Sequence, residues 1–228
     1  MFAVERTWLV RKLPTWDELF KDEKFVWKNP DEWAVWLVSL LRARNFKRVY
    51  DHGCGAGRHL IYLAREGFET YGTDISEVAL KRAEEWLRRE ELHAELKKAD
   101  MTVISYPDSF FGGVVSAYVV QHNTRANVQK TINEIHRVLC PGGLLYITFI
   151  STRSHRYGSG VMIEPDTYIP DTGEDRGVPH HFCDRPDIED LMKQFHMIKI
   201  ELNEKGDERW IRHSHWQVMA EKPFSGQQ

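Results

Sequence analysis

The chain has 228 residues, 42% hydrophobic and 29% charged, which suits one globular domain carrying elaborations around a sizeable core. With 31 Lys and Arg against 34 Asp and Glu, the net charge of -3 supplies no overall positive field for phosphate backbones, and nucleic acid is a disfavoured partner. No apolar run is long enough to span a bilayer and the opening residues mix acids with bases, so no membrane partner is expected and the expected location is cytoplasmic.

Two helix-start signatures come first. Thr15 and Glu18 have capping-box spacing, while Asn29, Pro30 and Glu32 supply a cap, a first-position proline and an N3 acid. Trp33, Trp36, Leu37, Leu40 and Leu41 then recur at three- and four-residue intervals as one apolar face. From Lys47 strands and helices alternate: a strand at 48–51, a glycine-rich turn, and a helix at 58–66 stopped by Gly67. A second strand at 69–74 leads to Ser76, the cap of a helix through residue 91, and 94–98 reads as a third strand. The apolar run 114–119 is a fourth strand. Val128, Ile132, Ile135 and Leu139 mark the next helix, and 144–150, after Pro141-Gly142-Gly143, is the fifth strand. Such alternation implies a parallel sheet. The ending differs, with a helix at 187–195 and strands at 196–202 and 215–221 around a turn containing Gly206, close enough to pair antiparallel. Residues 151–182, rich in Gly, Pro, Asp and His, are too long for an ordinary connection and read as a functional insertion. The chain thus divides into an N-terminal helical cap (1–46), an α/β domain (47–223) with that insertion, and a frayed tail (224–228).

The chemistry concentrates in Asp51-His52-Gly53-Cys54-Gly55-Ala56-Gly57-Arg58, a strand end running through three alternating glycines into a helix. Glycines there let a ligand approach the backbone. No Gly-Lys-Ser/Thr follows, which excludes a P-loop, and Arg58 occupies the third glycine place of the dinucleotide fingerprint. Asp74, ending the second strand, can accept hydrogen bonds from two ribose hydroxyls; a helix-capping acid is the alternative reading, although Ser76 is better placed to cap. Asp100, after the third strand, can hold an adenine amino group while Ile75 and Met101 cover its faces, or it is a solvated loop acid. Three scattered cysteines form neither a disulfide framework nor a zinc cluster. The pairs His180/His181 and His213/His215 match no closed zinc spacing, so no metal is expected.

Together these motifs resemble the class I S-adenosylmethionine-dependent methyltransferases from about residue 47 to 150. The resemblance implies an α/β Rossmann-like fold: a seven-stranded, mostly parallel sheet with an antiparallel last strand, helices on both faces and an N-terminal helical cap. It implies S-adenosyl-L-methionine as cofactor, with Asp51, Gly53, Cys54, Gly55, Gly57 and Arg58 in the first motif and Asp74 at the ribose. Ile75, Asp100 and Met101 would lie at the adenine, and 117–122, including Tyr118 and Gln121, beside the methionine moiety. Gly177-Val178-Pro179-His180-His181-Phe182 looks most like small-molecule members, including tellurite-resistance-type enzymes, which makes a small-molecule methyl acceptor the expected partner. A protein or RNA methyltransferase and a non-catalytic binder of the same cofactor are the alternatives. His122, His180 and His181 are the candidate acceptor-side bases, with His213 another. The N-terminal helices and 151–182 should close over the acceptor, since the sheet motifs are taken by the methyl donor. Trp8, Trp16, Trp27, Trp33 and Trp36 either form an aromatic lid there or pack the helix onto the sheet.

Overall fold

The computed structural model describes residues 15–207 and 210–224, with the backbone path alone at 207 and 210–212. Trp8 and the tail beyond residue 224 lie outside the described residues. In chain order come α1 (Trp16–Leu19), a 3-10 turn (Glu23–Phe25), α2 (Glu32–Ala43), β1 (Arg48–His52), α3 (Arg58–Arg65), β2 (Glu69–Asp74), α4 (Glu77–Arg89) and β3 (Glu95–Lys98). There follow β4 (Phe111–Ser116), α5 (Arg125–Val138), β5 (Leu139–Ile150), β6 (Val161–Glu164), β7 (Thr167–Ile169), β8 (His180–His181), α6 (Arg185–Leu191), β9 (His196–Asp207) and β10 (Trp210–Glu221).

The seven-stranded sheet has the order β3-β2-β1-β4-β5-β10-β9. β1 to β5 pair in parallel, and β10 is antiparallel to both β5 and β9. This is the Rossmann-like architecture expected from the motifs. Side chains alternate across it with period two. Tyr50, Val114, Leu145, Ile147 and Val218 pack with Val128, Ile132 and Ile135 of α5 and with Ile188 of α6. Val49, Val115, Leu144, Tyr146 and Met219 pack on the opposite face with Trp33, Leu37 and Leu41 of α2. Strand order reverses between β1 and β4, and the loops leaving their carboxyl ends, 53–57 and 117–123, flank that switch point, where open α/β sheets bind ligands.

The local signals explain most element ends. Thr15 and Glu18 form the capping box of α1, and the Ser76 hydroxyl accepts from Ala79 N–H at 3.1 Å to start α4. Gly67, at φ +82°, follows α3, with Phe68 N–H bonded back to Leu63 O. Several expected bounds need correction, among them the last two strands, which run over His196–Asp207 and Trp210–Glu221 with Gly206 paired inside the ladder. The N-cap of α2 is Asp31, not Asn29, and its carboxylate makes no capping bond because Arg58 and Tyr146 occupy it. The fourth strand is Phe111–Ser116, ending where Tyr118 turns to φ +64°, not 114–119. The helix expected at 187–195 is Arg185–Leu191, entered through Asp184, whose side chain accepts from Asp187 N–H. The fifth strand is Leu139–Ile150, not 144–150, and takes in Leu139, which was expected on the preceding helix; the insertion holds an antiparallel three-stranded sheet, β6-β7-β8.

Candidate functional site

A cavity of about 760 Å³ opens beside the glycine loop, and a smaller one of about 180 Å³ adjoins it. Trp16, Phe20, Gly53, Tyr118 and His122 line both, so the two form one cleft across the switch point. Thr73, Asp74, Ile75, Asp100 and Met101 line the small end.

The glycine loop is shaped for close approach. Gly53 has φ +68°, and a Cβ there would lie 2.4 Å from Val119 Cγ2, so no larger residue fits. Gly55 N–H donates to Asp74 Oδ2 and Ser76 N–H to Asp74 Oδ1, each at 2.8 Å. A carboxylate has about four acceptor sites, so Asp74 retains capacity for hydroxyl donors. Burial raises its pKa, which backbone N–H groups at Ser76, Gly55 and Ile75 counter. Ile75 is 46% exposed at the cleft, an apolar side chain that a planar base would cover. The Asp100 carboxylate accepts from Thr102 N–H and Oγ1 at 2.8 Å, which orders its loop.

His52 ties that loop to β1. The Met101 carbonyl can only accept, so His52 Nε2–H donates to it at 2.9 Å, and Nδ1 accepts from the Ser116 hydroxyl at 3.0 Å. Burial pushes this ring's pKa down to about 4, in keeping with a neutral imidazole. Asp51 sits behind the loop, 2% exposed, with Oδ2 lacking any partner. Burial lifts its pKa to about 6. The orphaned oxygen, the Gly53 cradle and the acceptor capacity of Asp74 all fit a polar nucleoside-type ligand carrying a cationic end.

A hub missing from the sequence reading holds the other side. Asp31 receives a two-pronged bond from Arg58 at 3.2 Å per prong and the Tyr146 hydroxyl at 3.1 Å, and His59 Nε2 lies 3.4 Å from its Oδ2. Burial opposes its ionisation, yet His59 and Arg58 keep its pKa below the ordinary value. The Arg58 guanidinium, thus oriented, lies over the Trp27 ring at 4.6 Å.

The large end is walled by the N-terminal region and the insertion. Trp16, Phe20, Phe25 and Trp27 come from the N-terminal region, and His155, Arg156, Pro170, Glu174 and Asp175 from the insertion. Exposed Lys24 and Glu174 form an ion pair between them. Trp33 and Trp36 instead pack α2 against the sheet, with Trp33 stacked 6.0 Å from Tyr146. His213 and His215 of β10 also line this end.

His122 and His180 meet here. His122 Nδ1 is 3.1 Å from His180 Nε2, which is 3.0 Å from Asp175 Oδ2, and Arg156 grips both Asp175 oxygens. Burial, then the neighbouring His180, drives the His122 pKa well down. Burial works against Asp175 ionisation, but His180 and Arg156 hold its pKa far below the ordinary carboxylate range. His181 goes elsewhere because neighbours on a strand point to opposite faces. It bonds Thr167 Oγ1 at 2.8 Å and Asp187 Oδ2 at 2.9 Å, and is not among the cavity-lining residues. Gln121 does line the cavity, its buried Oε1 unpartnered.

Residues 50–147 match the methyltransferase domain family. Malonyl-[acyl-carrier protein] O-methyltransferase of Enterobacter lignolyticus is 33% identical over 118 residues, 52% of this chain and 45% of that protein. Mus musculus glycine N-methyltransferase is 30% identical over 131 residues, 51% of this chain and 44% of its own length. The chain spans about half the length of the curated relatives it matches. A solved S-adenosylmethionine-dependent methyltransferase from Methanosarcina mazei shares the fold at TM-score 0.68 and 23% identity, covering 78% of this chain and 93% of that one. The glycine loop and the acid ending β2 fall inside the segment that matches the methyltransferase domain family, and the sheet with its reversed β10 is the fold shared with the Methanosarcina mazei structure.

Proposed function

We propose that this protein is an S-adenosylmethionine-dependent methyltransferase acting on a small-molecule acceptor in the cytoplasm. The observation that carries the reading is the two-ended cleft: nucleoside-type partners at Asp74, Ile75 and Asp100, joined through Gly53 and Tyr118 to a roofed chamber of about 760 Å³. One relative is named for O-methyl transfer to a carrier-bound malonyl group and another for N-methyl transfer to glycine, so the acceptor atom is chosen by the chamber. Three free cysteines suit a reducing compartment. Among the described residues no helix is long and apolar enough to cross a membrane.

When bound, the cofactor supplies an electrophilic methyl group on a sulfonium. The chain's contribution is to hold and align. Asp74 would hold the ribose, Ile75, Met101 and Asp100 the base, and the loop from Asp51 through Gly53, Cys54, Gly55 and Gly57 to Arg58, with Tyr118 and Gln121, the amino-acid end. Residues 16–27 and 155–175, which line the chamber, would exclude water and hold the acceptor lone pair in line, an alignment that can supply a large part of the rate. His122, backed by His180 and Asp175, handles the acceptor's proton or polarises its heteroatom. His181 serves as a positioning residue, holding β8 through Thr167 and Asp187.

Calorimetry on the full chain tests this. S-adenosylmethionine or its demethylated product should bind and NAD should not, because Arg58 stands where the dinucleotide turn needs glycine. Asp74→Ala should weaken binding by about 1.5–3 kcal/mol, roughly 10- to 150-fold, through lost charge-assisted bonds. An unchanged dissociation constant in a folded variant would reduce Asp74 to a loop-ordering acid; NAD binding without a response to S-adenosylmethionine would overturn the reading.

A further inference from the structure

We infer that His122, His180 and Asp175 form a binding site for a divalent transition-metal ion on the wall of the large chamber. The inference deepens the methyl-transfer reading for what the ion does, whereas the binding itself is argued from the donors alone. It also departs from the sequence expectation, since residues 122, 175 and 180 come together only through the fold.

The argument is one of hydrogen-bond parity. His180 Nδ1 is 2.8 Å from the Val178 carbonyl, an acceptor without a proton, so Nδ1 carries the hydrogen and Nε2 of the neutral ring is a lone pair. That lone pair points at Asp175 Oδ2, 3.0 Å away, and at His122 Nδ1, 3.1 Å away. A carboxylate oxygen facing an imidazole lone pair at this distance is repulsive unless a cation lies between them, either an extra proton or a metal ion. The ligating atoms of all three residues lie within 4.8 Å of one another.

The surroundings favour the metal. A ligating histidine characteristically donates its other ring N–H to a backbone carbonyl, as His180 does to Val178, and a ligating carboxylate is itself hydrogen-bonded, as Asp175 is by Arg156 at 2.8 and 2.6 Å. Tetrahedral ligands about 2.0–2.1 Å from zinc stand roughly 3.3 Å apart. The observed separations of 3.0 and 3.1 Å need widening by only a few tenths of an ångström. Two imidazoles and one carboxylate suit zinc or iron(II) rather than calcium or magnesium. His122 and Asp175 both line the chamber, so the open coordination position faces the acceptor. A hydroxyl or thiol bound there would release its proton to water at neutral pH and present its lone pair for alkylation.

The second His/Cys/Asp group, His181, Cys183 and Asp187, provides the control. Tag-free, metal-stripped full chain is titrated with Zn²⁺ by calorimetry, and S-adenosylmethionine binding is measured on the same preparation. One equivalent of Zn²⁺ should bind. His122→Asn and Asp175→Asn should each weaken it at least about tenfold while S-adenosylmethionine still binds, and Cys183→Ser should leave it unchanged. Absence of stoichiometric uptake, or uptake lost with Cys183→Ser but kept in the other two, would overturn the inference, the former outcome assigning the bridging cation to a proton on His180. Cofactor binding without Zn²⁺ binding sinks this inference alone; Zn²⁺ binding without cofactor binding sinks the methyl-transfer reading instead.

Discussion

Asp31→Ala is expected to destabilise the fold by about 3–5 kcal/mol, the range for removing one partner of a buried ion pair. The carboxylate is the shared acceptor of Arg58 and Tyr146, and its side chain and that of Arg58 are only 17% and 14% exposed. Alanine leaves a guanidinium and a phenol facing each other without an acceptor, and the arginine over Trp27 loses its tether. Asp31 also precedes α2, whose Trp33, Leu37 and Leu41 cover one face of the sheet, so the damage reaches the core. Urea unfolding of parent and variant measures it. A loss below about 1 kcal/mol, typical of solvent-screened pairs, would show that water takes over the carboxylate's role.

Asp51→Asn should do the opposite. Burial lifts the Asp51 pKa from 3.8 to about 6, and each pKa unit corresponds to about 1.4 kcal/mol, so ionising this carboxyl inside the fold costs on the order of 3 kcal/mol. Between pH 4 and 6 the folded state holds a proton that the unfolded chain has released, and stability falls as pH rises through that window. The amide has no such charge. Its advantage over the parent should be absent near pH 4, grow to about pH 6 and be constant above. His52 and His215, whose pKa values burial pushes down to about 4, act in the reverse sense, losing stability as pH falls from 6.5 towards 4. Both histidines are present in parent and variant, so the difference between the two stability curves isolates Asp51. The stabilised variant should also bind S-adenosylmethionine more weakly, the exchange seen where a binding site keeps a strained group. A difference curve flat from pH 4 to 8 would remove the buried charge from the account.

What the sequence carried, and what it could not, follows from the range of each signal. The second strand, 69–74, lies where expected because a turn glycine and a capping serine bracket it within a few residues. The fourth slid because Val114 to Val120 is nearly continuous in apolar character, and hydrophobicity alone does not say where a chain leaves its sheet. That end is set by the left-handed backbone of Tyr118 and by Val119 filling the space beside Gly53, both tertiary facts. Asp31 was hidden for a similar reason: next to Asn29 and Pro30 it looked like one more helix-start residue, and its partners lie 27 and 115 positions away. His180 and His181 read as a pair because they are adjacent, yet adjacency on a strand is what parts them. The small sheet of the insertion has strands of two to four residues, too short for a periodicity to emerge.

The reversed strand β10 has a consequence for how such a protein can diversify. Parallel strands present only their carboxyl ends to the ligand edge, but β10 pairs His215 with Ile150 at the end of β5 and so delivers residues from its own beginning to that edge. His213 and His215, two apart, face the chamber, while buried Ser214 turns to Glu204 of the neighbouring strand. Much of the chamber wall is therefore written in 15–27 and 155–215, whereas most of the nucleoside end is written in 53–101. Substitutions in the first set leave most of the second untouched, so on the proposed methyl-transfer reading the acceptor side can change while the cofactor side is kept.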